Sequence, residues 1–482
     1  MIDFRPALFI TGVLLTTLAA AMLVPALADA ANGDPGWRVF LASAAVTAFV
    51  GISMVLSFRA RRVELSIHGT FILTTLSWVT LAVFASLPFA FAGLGLSAAD
   101  AFFESMSGLT TTGSTVLIGL DRMSAGVLLW RALLQWLGGI GIIAMAVAVL
   151  PMLGVGGMQL FRTESSDQTE KALPRAAQLA GFITALYAVL TGGLFAAYWA
   201  AGMTPFDAVC HAMTTIATGG FSTVDGSIGR FNSAAIDMVA IAGMLIGGMP
   251  FVLYLRAVRG APGALLRDSQ VWWFLAICAA MTALFAAWLL LSHGAAPLAA
   301  LRYAAFNVIS VITGTGYATA DYGRWGGLAV TVMFFLMFVG GCTGSTTGGI
   351  KVFRYQVLFS AARVQIGHLA RPHGVFVARY NGKPIPEGVS SAVLGLFFMF
   401  FAVFAVTAGA LALLGLDFVT ALSAAATAVT NVGPALGPIV GPSGTFAPLS
   451  DSAKWVLSAA MLLGRLELFT VLVLFLPSFW RP

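Results

Sequence analysis

Four stretches of this chain end in a threonine- or glycine-bearing turn after a short apolar run: DAFFESMSGLTTTGSTVL (100–117), FDAVCHAMTTIATGGFSTV (206–224), LRYAAFNVISVITGTGYATA (301–320) and LDFVTALSAAATAVTNVGPAL (416–436). These residue types suit one chemistry. A dehydrated cation needs its water replaced by oxygen atoms at close range, and rings of backbone carbonyls or threonine hydroxyls supply them. Turning successive carbonyls toward one axis requires unusual backbone angles, which glycine reaches without a β-carbon clash. The equivalent glycines are expected at Gly113, Gly220, Gly316 and Gly433, separated by 107, 96 and 117 residues. Asp100 and Asp207 precede their glycine by 13 residues and Asp417 by 16, whereas the third stretch opens without an aspartate. An aspartate there would cap the free amides of a short helix, whose carbonyl end then turns partial negative charge toward the ion. A single turn of this kind is weak, because glycine-rich helix packing produces many. Four of them, each between two long apolar spans, point to a fourfold pseudo-symmetric pore. The other reading is a transporter with discontinuous helices and no continuous pore.

The elements that must hold these turns follow from the solvent. Of 482 residues only 9% are charged and 59% are hydrophobic, with mean hydropathy +0.94. An ordinary soluble domain carries about 25% charge, so a soluble enzyme, a disordered chain and a disulfide scaffold are excluded. Ten apolar spans are expected near 7–28, 37–57, 68–93, 124–152, 177–202, 232–257, 271–293, 327–350, 388–414 and 454–478. The first continues into a second hydrophobic segment and lacks a cleavage site, so it does not read as a signal peptide. The runs are too long and too unpatterned for a barrel and must satisfy their backbones internally as helices. The four short runs, about 12 to 16 residues each, cannot cross a bilayer and read as re-entrant. The expected fold is an all-α polytopic membrane protein. An N-terminal helical hairpin (1–62) precedes four pseudo-symmetric membrane–pore-loop–membrane repeats, 63–160, 161–262, 263–384 and 385–482, around one central ion pore.

Basic residues set the orientation. One set of loops carries 17 Lys and Arg, including Arg59, Arg61, Arg62, Arg162, Lys171, Arg175 and the run from Lys351 to Lys383; the opposite loops carry 6. The positive-inside rule makes the first set cytoplasmic, with both termini inside. This distribution also favours a membrane over nucleic acid as the reason for the basic pI of about 9.5. The outer loops hold ten acids, among them Asp29, Asp100, Glu104, Asp207, Asp225, Asp417 and Asp451. A net-negative mouth would concentrate cations, although outer loops that merely escape the positive bias would look the same.

Several residues interrupt the spans. The eighth contains GGCTGSTTGG (340–349), which cannot make a stable lipid-facing helix and should line a cavity; a close packing face of small residues is the alternative. Lys351 and Arg354 follow directly and are candidates to pass motion to a cytoplasmic partner. Arg465 lies within the last span, where a charge costs about 2.5–3.5 kcal/mol. It needs water or a partner, and Glu467, two residues on, does not face it on a helix. Arg131 is nearer the outer end of its span and reads as a structural anchor, and Asp237 as an interfacial residue. The histidines show no metal spacing, His211 is expected to pack, and Cys210, Cys278 and Cys342 form no metal or disulfide pattern. The stretch from Arg354 to Lys383 reads as a cytosolic loop, either a docking surface or simply solvated.

TTTGSTVL (110–117), TIATGGFST (215–223), GTGYAT (314–319), FVGGCTGSTTGGIKVFR (338–354), TNVGPALGP (430–438) and GRLELFT (464–470) together resemble the Trk/Ktr/HKT superfamily of potassium transporters, in its TrkH branch. The resemblance covers nearly the whole chain. It implies a selectivity filter of Thr111, Thr112 and Gly113; Thr218, Gly219 and Gly220; Gly314, Thr315 and Gly316; and Asn431, Val432 and Gly433, with K⁺ as the transported ion. It implies a gate in which the loop bearing Gly340, Gly341, Gly344, Ser345, Thr346, Thr347, Gly348 and Gly349 obstructs the path beneath the filter, with Arg465 repelling cations in the cavity there. Glycine rather than serine at 113 resembles the potassium-selective type; a sodium-permeable or weakly selective member is the rival. Also implied are a homodimer with one pore per subunit and a cytosolic nucleotide-binding ring of the TrkA type; this chain itself has no P-loop or GxGxxG signature, so nucleotide sensing would belong to that partner. No organic cofactor is expected. An intramembrane enzyme would need paired catalytic groups at one depth, and the deep charges offer no nucleophile–base set.

Overall fold

The computed structural model describes residues 3–59, 66–148, 155–161 and 172–481. Arg61, Arg62, Arg162 and Lys171, used above for orientation, lie outside them, and the side chain of Arg175 is likewise not described. Among the described residues the chain is helical apart from one small hairpin, Arg379–Tyr380 against Lys383–Pro384. Its turn, Asn381–Gly382, has positive φ at both residues (48° and 77°), the geometry that Asn-Gly favours. The hairpin falls in the stretch read as a plain loop.

Helices Arg5–Ala31 and Trp37–Ser57 form the N-terminal pair. They meet at two glycines: a β-carbon at Gly12 would lie 2.9 Å from Gly51 O, and one at Gly51 would lie 3.0 Å from Gly12 O. Lipid-exposed helices gain no hydrophobic drive to associate, so close backbone approach at small residues does the work. Asp29 at the end of the first helix is fully buried and accepts from the Gly126 amide, placing a carboxylate at the N-terminus of helix Ala125–Ala148.

Four repeats follow, each an outer helix, a short re-entrant helix and an inner helix. The re-entrant helices are Ala98–Leu109, Pro205–Ile216, Pro297–Ile312 and Phe418–Thr430. Their caps correct the sequence reading. Ser97 is the first N-cap, in a capping box with Asp100, and Thr204 is the second. Asp100 and Asp207 therefore sit inside their helices, whereas Asp417 is itself a cap. Measured from the cap, the turn glycine is 16 residues on in the first, second and fourth repeats, so the fourth is not irregular. The third helix is longer, starts at a proline and has no side-chain cap.

The inner helices depart from simple spans. Ala125–Ala148 is continuous. The second is Ala234–Gly248 plus Phe251–Val258, bent by 93° where Pro250 cannot continue the hydrogen-bond ladder. The third is only Gly327–Leu336 before the glycine-rich loop. The fourth breaks by 107° after Asp451–Arg465, through Glu467 and Leu468, both at left-handed φ (61° and 51°). Arg465 thus stands at a helix end, not mid-span. Among the described residues seven helices are long and apolar enough to cross a membrane, or nine with each bent pair taken as one, against the ten spans expected; the interrupted third inner helix is the difference.

Inner-helix glycines let the re-entrant helices seat. A β-carbon at Gly138 would overlap Leu109 O, one at Gly464 would overlap Val429 O, and one at Gly247 would lie 3.0 Å from Ile216 O, all at equivalent places in three repeats. Gly138→Ala should therefore cost about 1–3 kcal/mol by overpacking, seen as a lower melting temperature in detergent. Gly181→Ala, where a β-carbon meets nothing within 4 Å, should not lower it; equal melting of the two variants would refute the packing argument.

Candidate functional site

Each re-entrant helix ends in the same backbone device. The helix-terminating residue is left-handed: Thr111 (φ 51°), Thr218 (49°), Gly314 (66°) and Asn431 (55°). The next residue returns its amide to the carbonyl five positions back: Thr112 to Ser107, Gly219 to Thr214 and Thr315 to Ser310, each at 2.9 Å, and Val432 to Thr427 at 3.1 Å. This is the Schellman end, for which glycine and asparagine are the favoured residues. Threonine in two of the four places is held against its preference, at about 1–3 kcal/mol each. Two residues later the backbone is left-handed again at Gly113 (87°), Gly220 (78°), Gly316 (78°) and Gly433 (106°).

The four turns meet. A β-carbon on Gly113 would strike Gly219 O, on Gly220 Thr315 O, on Gly316 Val432 O and on Gly433 Thr112 O, each closer than 3.0 Å. Every glycine is backed by the middle carbonyl of the next turn, and the fourth returns to the first. All twelve residues named from the sequence for this site thus fall in one closed ring. The outer connections run the same way: Ser114 donates to Gly433 O (2.7 Å), Phe446 N to Thr115 O (2.8 Å) and Gly229 N to Ala318 O (3.0 Å). Lys454 pairs with Asp100 (2.6 Å), joining the last repeat to the first.

The supports behind the ring include residues that sequence reasoning missed. Gln135 donates to Gly219 O (2.6 Å) and accepts from Phe221 N (3.0 Å), bracketing the second turn. Asn431 donates to the Thr112 hydroxyl (2.9 Å) and to Met461 O (3.0 Å). Arg131, read as an anchor, is one: it pairs with Glu104 at 2.8 Å with both side chains at most 1% exposed. It donates to Ser222 O (2.7 Å) and the Thr115 hydroxyl (3.2 Å) and covers the Phe221 ring. Glu104 also accepts from Val116 N (2.9 Å). Glu104 and Asp29 are buried, and Asp225 accepts from the Gly119 and Leu120 amides at 3.0 Å, so these three outer acids serve the architecture, whereas Asp121, Asp417 and Asp451 stay exposed. Asp237, expected at an interface, is buried against Arg302 (2.6 Å).

The segment 338–351 runs beneath the ring. Thr346 donates to Ile216 O (3.1 Å) and Gly247 O (3.0 Å) and receives the Thr218 hydroxyl (3.0 Å). A β-carbon at Gly348 would overlap Thr430 O, and Gly348 N lies 3.5 Å from the β-carbon position of Gly314. The loop therefore touches the second, third and fourth turns from one side. It is pinned by Cys342 N to Gly248 O (2.9 Å) and Phe251 N to Gly344 O (3.0 Å), and by Gly341 N to the Thr347 hydroxyl (3.1 Å), while Gly340 and Gly349 pack against each other. Ser345, Thr347, Gly348, Gly349 and Arg465 line one cavity of about 30 Å³. Glu467 pairs with Arg354, not Arg465, and Arg354 also donates to Gly156 O (3.1 Å). Arg354 is buried and acts as an internal strut, so its expected place on a docking face is corrected.

His211 packs in the second re-entrant helix, its ring nitrogens 2.8 Å from Asp207 O and 2.9 Å from the Ser222 hydroxyl. Among the described residues no three His, Cys, Asp or Glu side chains gather as metal ligands. The oxygens at the ring are carbonyls and hydroxyls, and Thr111 Oγ1 and Asn431 Oδ1 are buried there without a protein partner among the described residues.

A quasi-fourfold bundle of interrupted helices whose re-entrant ends close on one another defines a multi-pass membrane transport protein. Residues 37–481 match the TrkH family, described as a cation transport protein, and the chain belongs to that family, whose members are transporters and not enzymes. It is 47% identical to the Trk system potassium uptake protein TrkI of Halomonas elongata, covering 99% of this chain and 97% of the relative. It is 37% identical to the Trk system potassium uptake protein TrkH of Escherichia coli K12, covering 99% of each. The crystal structure of the potassium transporter TrkH from Vibrio parahaemolyticus superposes with a TM-score of 0.92 at 37% identity, covering 100% of both chains.

Proposed function

We propose that this chain takes up potassium across the bacterial inner membrane along the axis of the four turns, with both termini in the cytoplasm. Thr111–Gly113, Thr218–Gly220, Gly314–Gly316 and Asn431–Gly433 form the filter, whose carbonyls and threonine hydroxyls replace the ion's water. The observation that carries the reading is the closed cycle of glycine-to-carbonyl contacts, which brings oxygens from all four repeats to one place. The names of the relatives support potassium as the ion. Parallel K⁺ and Na⁺ flux into proteoliposomes tests it; equal rates would remove the potassium assignment and leave a weakly selective cation path.

The loop 340–349 and Arg465 form the gate in this reading. Support comes from the loop's contacts with three of the four turns and from the cavity it shares with Arg465. A fixed positive charge in a low-dielectric cavity repels an arriving cation. Arg465→Ala should raise resting K⁺ leak by about ten-fold, the effect of roughly 1.4 kcal/mol of lost repulsion. Folded variant protein with unchanged leak would exclude that role. The assembly we propose is a homodimer with a pore in each subunit, regulated by a TrkA-type nucleotide-binding ring on the cytoplasmic side. Chemical cross-linking in membranes and co-purification with such a ring test it.

A further inference from the structure

The cavity beneath the ring holds an electrostatic imbalance. It is lined by Arg465, Lys351, Arg354 and Glu467, with the Ser345 and Thr347 side chains. Arg354 and Glu467 neutralise each other. Among the described residues the Lys351 ammonium donates only to neutral acceptors, the Thr347 carbonyl and hydroxyl. Arg465 is 3% exposed, and its Nε and Nη2 find no acceptor among the described residues. A guanidinium stays protonated in proteins, and a buried charge without an opposite partner is strongly unfavourable. Water would satisfy the N–H donors and leave the two charges uncompensated. A small anion satisfies the donors and offsets one of the two charges.

We infer that this cavity is a binding site for one small monovalent anion of halide type, held between Arg465 Nε and Nη2 and the Lys351 ammonium. The cavity volume of about 30 Å³ admits a group the size of a water molecule, which suits chloride or bromide. The ion would be charge-assisted by both donors and would tie the fourth inner helix to the segment that follows the glycine-rich loop. One bound anion leaves the lining net positive, so a cation still meets repulsion there. The inference concerns the cavity alone and holds whatever ion the ring above it selects.

The full-length protein in bromide should show an anomalous peak within hydrogen-bond reach of Arg465 and Lys351, lost in Arg465→Gln. In a melting experiment on the intact protein, chloride should raise the midpoint by about 2 °C over gluconate at equal ionic strength, through preferential binding to the folded state. Lys351→Gln, which keeps the guanidinium, should lose at least half of that difference. No bromide peak at saturating concentration, a peak that survives Arg465→Gln, or identical melting in chloride and gluconate would each overturn the site.

Discussion

Gly113→Ser should lower the preference for K⁺ over Na⁺ by at least about ten-fold. The residue sits at φ 87°, where a non-glycine residue costs about 1–3 kcal/mol, and its new β-carbon would overlap Gly219 O. The chain cannot relax by twisting 113 alone, because Gly219 is held from behind by Gln135 at 2.6 Å. Relief must come from moving the carbonyl, and a ring whose oxygens shift loses the spacing that distinguishes two ions of different radius; each 1.4 kcal/mol lost from the discrimination is a factor of ten. Gly119→Ser separates strain from ring geometry: Gly119 has a similar φ of 79°, yet a β-carbon there meets nothing within 4 Å. Flux of both ions should be near normal in Gly119→Ser and non-selective in Gly113→Ser. The same selectivity in both variants would mean that the close approach does not matter.

Arg131→Met should be the most destabilising single change considered. Removal of the guanidinium leaves the Glu104 carboxylate with no exposure to solvent, a loss of about 3–5 kcal/mol for a broken buried pair. It also releases Ser222 O and the Thr115 hydroxyl, which lie on the exits of the second and first turns. We expect a melting temperature lower by about 3–5 °C in detergent, or loss of folded protein. Replacing both partners, Glu104→Gln with Arg131→Met, should recover most of the deficit, since no charge is then stranded. A single variant that melts like the parent would show that the pair contributes nothing net.

Much of this was legible in composition and repeat spacing. The four glycines, the broken third inner helix and the detachment of Arg465 from Glu467 follow from rules about lipid, backbone and helix geometry. What escaped was information held in tertiary pairing. Asp100, Asp207 and Asp417 look alike in sequence, yet the caps are Ser97, Thr204 and Asp417, because N-cap preference is shared by all four polar residue types. Glu104 reads as one more outer acid in sequence, since nothing local marks its partner Arg131, 27 positions away. Gln135 carried no periodicity signal, and only the fold reveals that it faces Gly219. The sharp bends after Gly248 and Arg465 were hidden by unbroken hydropathy, although Pro250 was available as a signal for the first of them.

The closed cycle of turns belongs to a single polypeptide, and its four middle positions hold three residue types: Thr112 and Thr315, Gly219, and Val432. A ring assembled from identical subunits changes in every quadrant when one codon changes. Here each quadrant is encoded separately, so the lining can be adjusted a quarter at a time. The same arrangement means that the circle stays open during synthesis until the fourth turn is made, since Gly316 waits on Val432 and the first turn waits on Gly433 to reach back to Thr112.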